Sequence, residues 1–265
     1  MREISFEESK RILIRTLESI DKCCRENNID YSICWGTMIG AIRHHGFVPW
    51  DDDIDLMMSR ENYDCFIKVY NDPDYNLYTI KKGSDWNMLH TRVSNKKTVV
   101  VFNDEKNSPH GCWISIFPYD NVPDDNRENW EKKRTFLIRL FQLKNAKWSR
   151  KASFVRNCFR IIAKQFLFFV SSYQMGLAVN RHISNYNHQK TKEIGLWDNG
   201  VCLTKFFYFP AELFDGYVEV DFDGVKCKII KEYDKFLRMY YGDYMTPPPV
   251  EKQVPSHNYK AYYID

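Results

Sequence analysis

Apolar positions recur along this chain with two alternating periods. Phe6, Leu13, Leu17, Ile20 and Cys24 follow helical spacing, and Ser5 with Glu8 forms a capping-box pattern, so a helix is predicted over 6–27. Ile29 to Trp35 alternates like a strand, Thr37 to His44 reads as a short helix ended by Gly46, and 53–58 reads as a strand. Ser59 is placed to cap a helix running to about Tyr70, with Tyr63, Phe66, Ile67 and Tyr70 on one side. Further strands are expected at 75–81, 88–94, 98–102 and 112–117, with a hairpin turn at Asn95-Lys96-Lys97. The period then becomes helical over 128–143 and 153–183. Residues 194–209 are aromatic and strand-like. A hairpin turns at Asp223-Gly224, a last helix covers 233–240, and Pro247 to Pro249 is extended. This order predicts an α/β (α+β) chain, a mixed sheet with flanking helices and a helical insertion, dividing at 1–127, 128–193 and 194–265.

Charge alters that picture in one place. Between Lys132 and Lys192 there are 14 Lys and Arg and no Asp or Glu, so the other residues hold 24 basic and 35 acidic side chains, a net of −11, although the whole chain is at +3. Three readings of the segment stand open: a solvated basic face, a docking face for an anionic membrane surface, and a nucleic-acid surface. The apolar run Phe166 to Val170 beside Arg156, Arg160 and Lys164 favours an interfacial amphipathic helix, and nothing resembles a nucleic-acid module, so no nucleic-acid partner is expected. The N-terminal stretch is charged throughout and no apolar run approaches a membrane span. The expected location is therefore cytoplasmic and peripheral, on the inner face of the cell membrane. The eight cysteines are scattered with no Cys-x-x-Cys, and His44, His45 and His90 have no Cys or His partner at ligand spacing, so reduced thiols and no zinc are expected.

The candidate chemistry sits in one short region. Asp51, Asp52, Asp53 and Asp55 fall within five positions, and on a strand Asp53 and Asp55 project to the same side. Two carboxylates on one face repel unless a cation lies between them, and hard oxygen ligands suit Mg²⁺ or Mn²⁺, with Mg²⁺ also holding phosphates. Gly36 and Thr37 precede them by a helix and a loop, where a glycine admits close backbone approach and the helix start offers free N–H groups to an anion.

Strand, Gly-Thr, helix and Asp-x-Asp strand resemble the nucleotidyltransferase superfamily. Trp35-Gly36-Thr37, Gly40-Ala41-Ile42-Arg43, Gly46-Phe47 and Pro49-Trp50-Asp51-Asp52-Asp53-Ile54-Asp55 are similar to the LicD family of phosphocholine and related phosphotransferases, to which fukutin-type proteins are also similar. The blocks at 111–120 and 222–257 resemble the family's second acidic strand and its C-terminal element. The resemblance implies a nucleotidyltransferase-type catalytic core completed by 194–265, with 128–193 as a basic helical subdomain. It implies metal-dependent transfer of a phospho-alcohol headgroup, foremost phosphocholine from CDP-choline, to a sugar hydroxyl of a cell-surface glycan precursor. That acceptor belongs to the teichoic acid or lipopolysaccharide class and is free or lipid-linked. Asp53 and Asp55 are then the metal ligands, with Asp52 also catalytic, and Gly36, Thr37, Arg43 and Trp50 bind substrate; Arg92, on an expected central strand after His90, reads either as a substrate-binding phosphate clamp or as half of a buried ion pair. Asp51 or Asp52 is left as base toward the acceptor or as partner to Arg43. Trp35, Trp50, Trp86 and Trp113 are candidates for an aromatic cage around choline. His257 has two open readings, site residue and surface histidine.

One position departs from the family pattern. Where the second block ordinarily has an aspartate before Ile-Phe-Pro, this chain has Ser115, in Ile114-Ser115-Ile116-Phe117-Pro118. Either Asp120 serves as the third acid, or the chain is a degenerate or substituted member, or two carboxylates and the donor phosphates hold the metal with slower chemistry. Two other functions stay alongside transfer: a nucleotidyltransferase that makes the activated donor, and a catalytically impaired member that binds glycan or nucleotide.

Overall fold

The computed structural model describes residues 1–84, 86–102, 110–146, 153–196, 207–255, 257 and 259–264. In chain order the elements are β1 (Arg2–Ile4), α1 (Phe6–Glu26), β2 (Ser32–Ile33), α2 (Trp35–His44), β3 (Asp55–Ser59), α3 (Arg60–Val69), β4 (Tyr75–Tyr78), β5 (Thr91–Asn95), β6 (Thr98–Phe102) and β7 (Trp113–Val122). They continue with α4 (Arg127–Asn145), α5 (Phe154–Phe166), α6 (Ser172–Ile183), β8 (Glu193–Leu196), β9 (Tyr208–Pro210), β10 (Tyr217–Phe222), β11 (Val225–Ile230), α7 (Tyr233–Tyr241) and β12 (Tyr259–Tyr263). The chain forms two compact units, one of 1–78, 90–119 and 209–265 and one of 79–89 and 120–208. The expected divisions at 127 and 193 differ from these bounds, because a segment before β5 and the end of β7 belong with the helices.

In the first unit the capping box forms as expected. Ser5 Oγ accepts from the Glu8 N–H at 3.2 Å and the Glu8 carboxylate accepts from the Ser5 N–H at 3.0 Å. Leu13, Leu17, Ile20 and Cys24 of α1 are buried. The main sheet runs β2-β3-β7-β5-β4, with β3 and β7 parallel and the other neighbours antiparallel. A second sheet has the order β1-β12-β6. The turn expected at residues 95–97 is present, with Asn95 Oδ1 accepting from the Lys97 N–H, but it does not make a hairpin. Instead β6 pairs with β12, from the far end of the chain, so β5 and β6 enter different sheets.

In the second unit Trp130, Ile138 and Phe141 of α4 pack with Met175, Val179 and Ile183 of α6 in one apolar cluster. The long helix expected over 153–183 is two helices. Ser171 opens a new capping box, its Oγ accepting from the Gln174 N–H and the Gln174 side chain accepting from the Ser171 N–H, and this starts α6 after a turn. Of the aromatic stretch expected as strand at 194–209, residues 197–206 lie outside the described part.

His90 of the first unit is buried, its ring 4.5 Å from that of Phe117. Burial, with the positive Arg92 nearby, holds its imidazole well below the ordinary histidine range. Below about pH 6.5 the unfolded chain therefore binds a proton that the folded chain refuses. His90's contribution is complete above that pH and declines as the pH falls. Urea unfolding should lose up to ~1.4 kcal/mol per pH unit below about pH 6.5 from this group. The slope should flatten in His90→Phe, and equal slopes in both proteins would show that this histidine is not linked to unfolding.

Candidate active site

The acidic stretch meets the start of α2. The Asp55 N–H donates to Thr37 Oγ1 at 3.0 Å, and the Cys34 N–H donates to the Asp55 carbonyl at 2.9 Å, so the first residue of β3 is pinned to the first turn of the helix. Trp35 has φ +47°, a left-handed backbone that a bulky residue adopts only at a cost. Its ring meets Phe117 edge-on at 4.6 Å. At Gly36 an added Cβ would lie 2.6 Å from Asp51 Oδ2, so only glycine lets that carboxylate come so close to the helix start. The acidic loop itself thus occupies the approach that Gly36 opens.

Strand register sets the next layer. Asp55 of β3 pairs with Ser115 of β7, and Ser115 pairs with Arg92 of β5, forming one row across three adjacent strands. Neighbours in register share a face, so Ser115 lies between a carboxylate and a guanidinium. The Arg92 guanidinium also sits over the Trp113 ring, 4.3 Å from its centroid.

The C-terminal strand completes the cluster. His257 Nδ1 lies 3.1 Å from Asp52 Oδ1 and 3.6 Å from Asp53 Oδ2, and the His257 N–H donates to Asp52 Oδ2 at 3.1 Å. The Tyr259 hydroxyl donates to the Asp52 carbonyl at 3.2 Å. Asp52, Asp53 and His257 each offer a ligand atom within 4.8 Å of the others, and this is the one such group found among the described residues. Asp52 is buried.

The electrostatics follow from crowding. Burial raises the Asp51 carboxyl above the ordinary range, with the charge of Asp53 adding to it. Burial also raises Asp53, and there Asp52 adds to the rise while His257 and Arg92 oppose it. Burial alone would lower the His257 imidazole, but its contacts with Asp52 and Asp53 outweigh that and raise it. A crowded group of carboxylates, two of which hold their protons above the ordinary range, suits a cation, so the donor set fits a divalent metal.

The remaining sequence-predicted residues take other positions. Arg43 donates from Nη1 to the Tyr244 carbonyl at 2.5 Å and from Nε to His44 Nε2 at 3.0 Å, anchoring the segment after α7. Trp50 is half-buried in the turn leading to Asp51. Asp120 is buried, and the Asn187 amide donates to its Oδ1 at 2.5 Å. It lies five residues beyond Ser115 on β7, and an odd offset points to the opposite face of a strand. Of the two readings the sequence left open for His257, the structure takes the site residue, although 205 positions separate it from Asp52.

A mixed sheet with flanking helices, its strand β3 pinned to the first turn of α2, defines an α+β protein. The family model for the LicD/FKTN/FKRP nucleotidyltransferase domain matches residues 28–158. The chain is 30% identical over 272 residues to the lipopolysaccharide cholinephosphotransferase LicD of Haemophilus influenzae, covering the full length of both. It is also 38% identical over 115 residues to an uncharacterized protein of Rickettsia prowazekii, covering 42% of this chain and 40% of that one. An uncharacterized protein of Rickettsia typhi is 28% identical over 113 residues, covering 43% of this chain and 34% of that one. The chain belongs to the LicD family and is a transferase.

Proposed function

We propose that this protein transfers phosphocholine from CDP-choline to a sugar hydroxyl of a cell-surface glycan precursor, with Mg²⁺ or Mn²⁺ as cofactor. The full-length similarity to a lipopolysaccharide cholinephosphotransferase carries this reading. Asp53 is the central ligand, flanked in sequence by Asp52 and followed on the strand by Asp55. The cation it helps to hold supplies charge that neutralises the donor diphosphate. Carboxylate oxygens suit such a hard ion better than an imidazole does. His257 is accordingly the group that orients Asp52, through the two contacts at 3.1 Å.

Thr37 holds Asp55 in place, and Gly36 leaves room for the acidic loop. Arg92, in the row with Ser115, adds positive charge where the donor's phosphates gather. Asp51, whose carboxyl holds its proton above the ordinary range, is the group suited to exchanging a proton with the acceptor hydroxyl. The acceptor is glycan or lipid-linked glycan at an anionic membrane surface on the cytoplasmic side, reached through the basic residues 132–192.

The test is CMP release from CDP-choline in the presence of Mg²⁺ and a glycan acceptor, compared with CDP-ribitol and CDP-glycerol. CMP release that is fastest with CDP-choline is the expected result. Pyrophosphate release from CTP and phosphocholine, without CMP release, would instead identify an enzyme that makes the donor.

A further inference from the structure

Helix α5 is turned inside out. Phe154, Val155, Ile161, Ile162 and Phe166 fall on one arc of about 140° at helical spacing. Their exposures are 72%, 76%, 49%, 58% and 83%. Asn157, Arg160 and Lys164 lie on the other side, while Gln165 is exposed within the apolar arc. Asn157 is buried, Arg160 and Lys164 are half-buried, and Arg160 donates to Asn157 Oδ1 at 3.4 Å. The turn that follows extends the exposed apolar surface. Phe168 and Phe169, 70% and 91% exposed, meet edge to face at 5.4 Å, and Lys144 Nζ holds the turn by donating to the Leu167 carbonyl. A helix with its apolar side to water and its polar side to the protein is explained by an apolar phase on the outside.

We propose that α5 and the Phe168-Phe169 turn insert into the interfacial layer of an anionic membrane, lying in its plane. The inference rests on the reading that the acceptor is met at a membrane, and adds that binding there depends on buried apolar area as well as on charge. Charge selects the occupant. The stripe belongs to the segment with 14 basic and no acidic residues, and Lys132, Lys133 and Arg139 of α4 are exposed beside exposed Phe136. A second copy docked on this face would bring two such segments together against their mutual repulsion, whereas anionic headgroups neutralise them. Among the described residues no helix is long and apolar enough to cross a membrane, and an interfacial helix needs no such length.

The experiment uses the full chain with vesicles of phosphatidylcholine alone and of phosphatidylcholine mixed equally with phosphatidylglycerol. The parent protein is compared with Ile162→Asn/Phe166→Ser and, independently, with Phe168→Ser/Phe169→Ser. These side chains are exposed, so thermal unfolding should be unchanged, and CMP release with a water-soluble acceptor should also be unchanged. The expected result is preference of the parent for anionic vesicles, with partitioning lowered about a hundredfold by Ile162→Asn/Phe166→Ser. Undiminished binding by both variants would overturn insertion while leaving electrostatic docking in place. Equal recovery of the parent on both vesicle types would overturn the membrane reading and the inference with it. Parent dimers that the variants convert to monomers, without vesicle binding, would assign the stripe to self-association and overturn the proposal. CMP release reports on transfer separately from all three.

Discussion

Asp53→Asn should lower CMP release from CDP-choline by at least about a thousandfold, roughly 4 kcal/mol of barrier, while raising the stability of the metal-free protein. Both effects come from the same crowding. Asp53 is ionised only against burial and the neighbouring charge of Asp52, and its carboxyl is raised for that reason. An amide of the same shape removes the repulsion but cannot offer an anionic ligand to a cation. A group whose folded pKa lies above its unfolded value weakens the fold at neutral pH, so neutralising it strengthens the fold. Thermal unfolding should show a higher midpoint for Asp53→Asn without metal and a smaller rise on adding Mg²⁺ than in the parent. Activity within tenfold of the parent, with an unchanged metal response, would remove Asp53 from the site.

Ser115→Asp should increase the rate by about tenfold or more, equivalent to ~1.4 kcal/mol, and tighten Mg²⁺ binding. Register makes the position specific, since Ser115 pairs with Asp55 on one side and Arg92 on the other. A carboxylate there would join the acidic row, with the Arg92 guanidinium on the adjacent strand to offset its charge. The buried position leaves little water to screen either effect. Asp120→Asn is the control. Asp120 accepts from Asn187, and its odd offset along β7 directs it away from the face of Ser115, so the variant should retain activity within a few-fold. Isothermal titration with Mg²⁺ and CMP-release rates for both variants decide the matter. An inactive Asp120→Asn together with an unimproved Ser115→Asp would show that Ser115 does not stand in a lost ligand's place.

Local physics explains what was legible in the chain. The capping box at Ser5 and Glu8, the buried Leu13, Leu17, Ile20 and Cys24 of α1 and the β10–β11 hairpin at Asp223-Gly224 are set by residues a few positions apart, and the structure has them where the spacing placed them, while Phe6 on the same spacing stays exposed. The proximity of Gly36 and Thr37 to the acidic strand was legible for a related reason, because a short helix and loop leave the chain few ways to return. The break between α5 and α6 was missed because apolar spacing continues through Phe166 to Val170, while the Ser171–Gln174 capping box that ends the continuity depends on two polar side chains.

By itself the sequence determined the acidic cluster, the acid-free basic segment and the membership in the LicD family. Each is written in contiguous residues or in composition. Only the tertiary structure decided that Asp55, Ser115 and Arg92 form one row, because strand register is chosen by packing among distant segments. Only β12, paired with β1 and β6, carries His257 from the far end of the chain to Asp52 and Asp53. The outward turn of the α5 stripe belongs to the same category. Periodicity reports that a helix has an apolar side, and the neighbours it packs against decide which way that side faces.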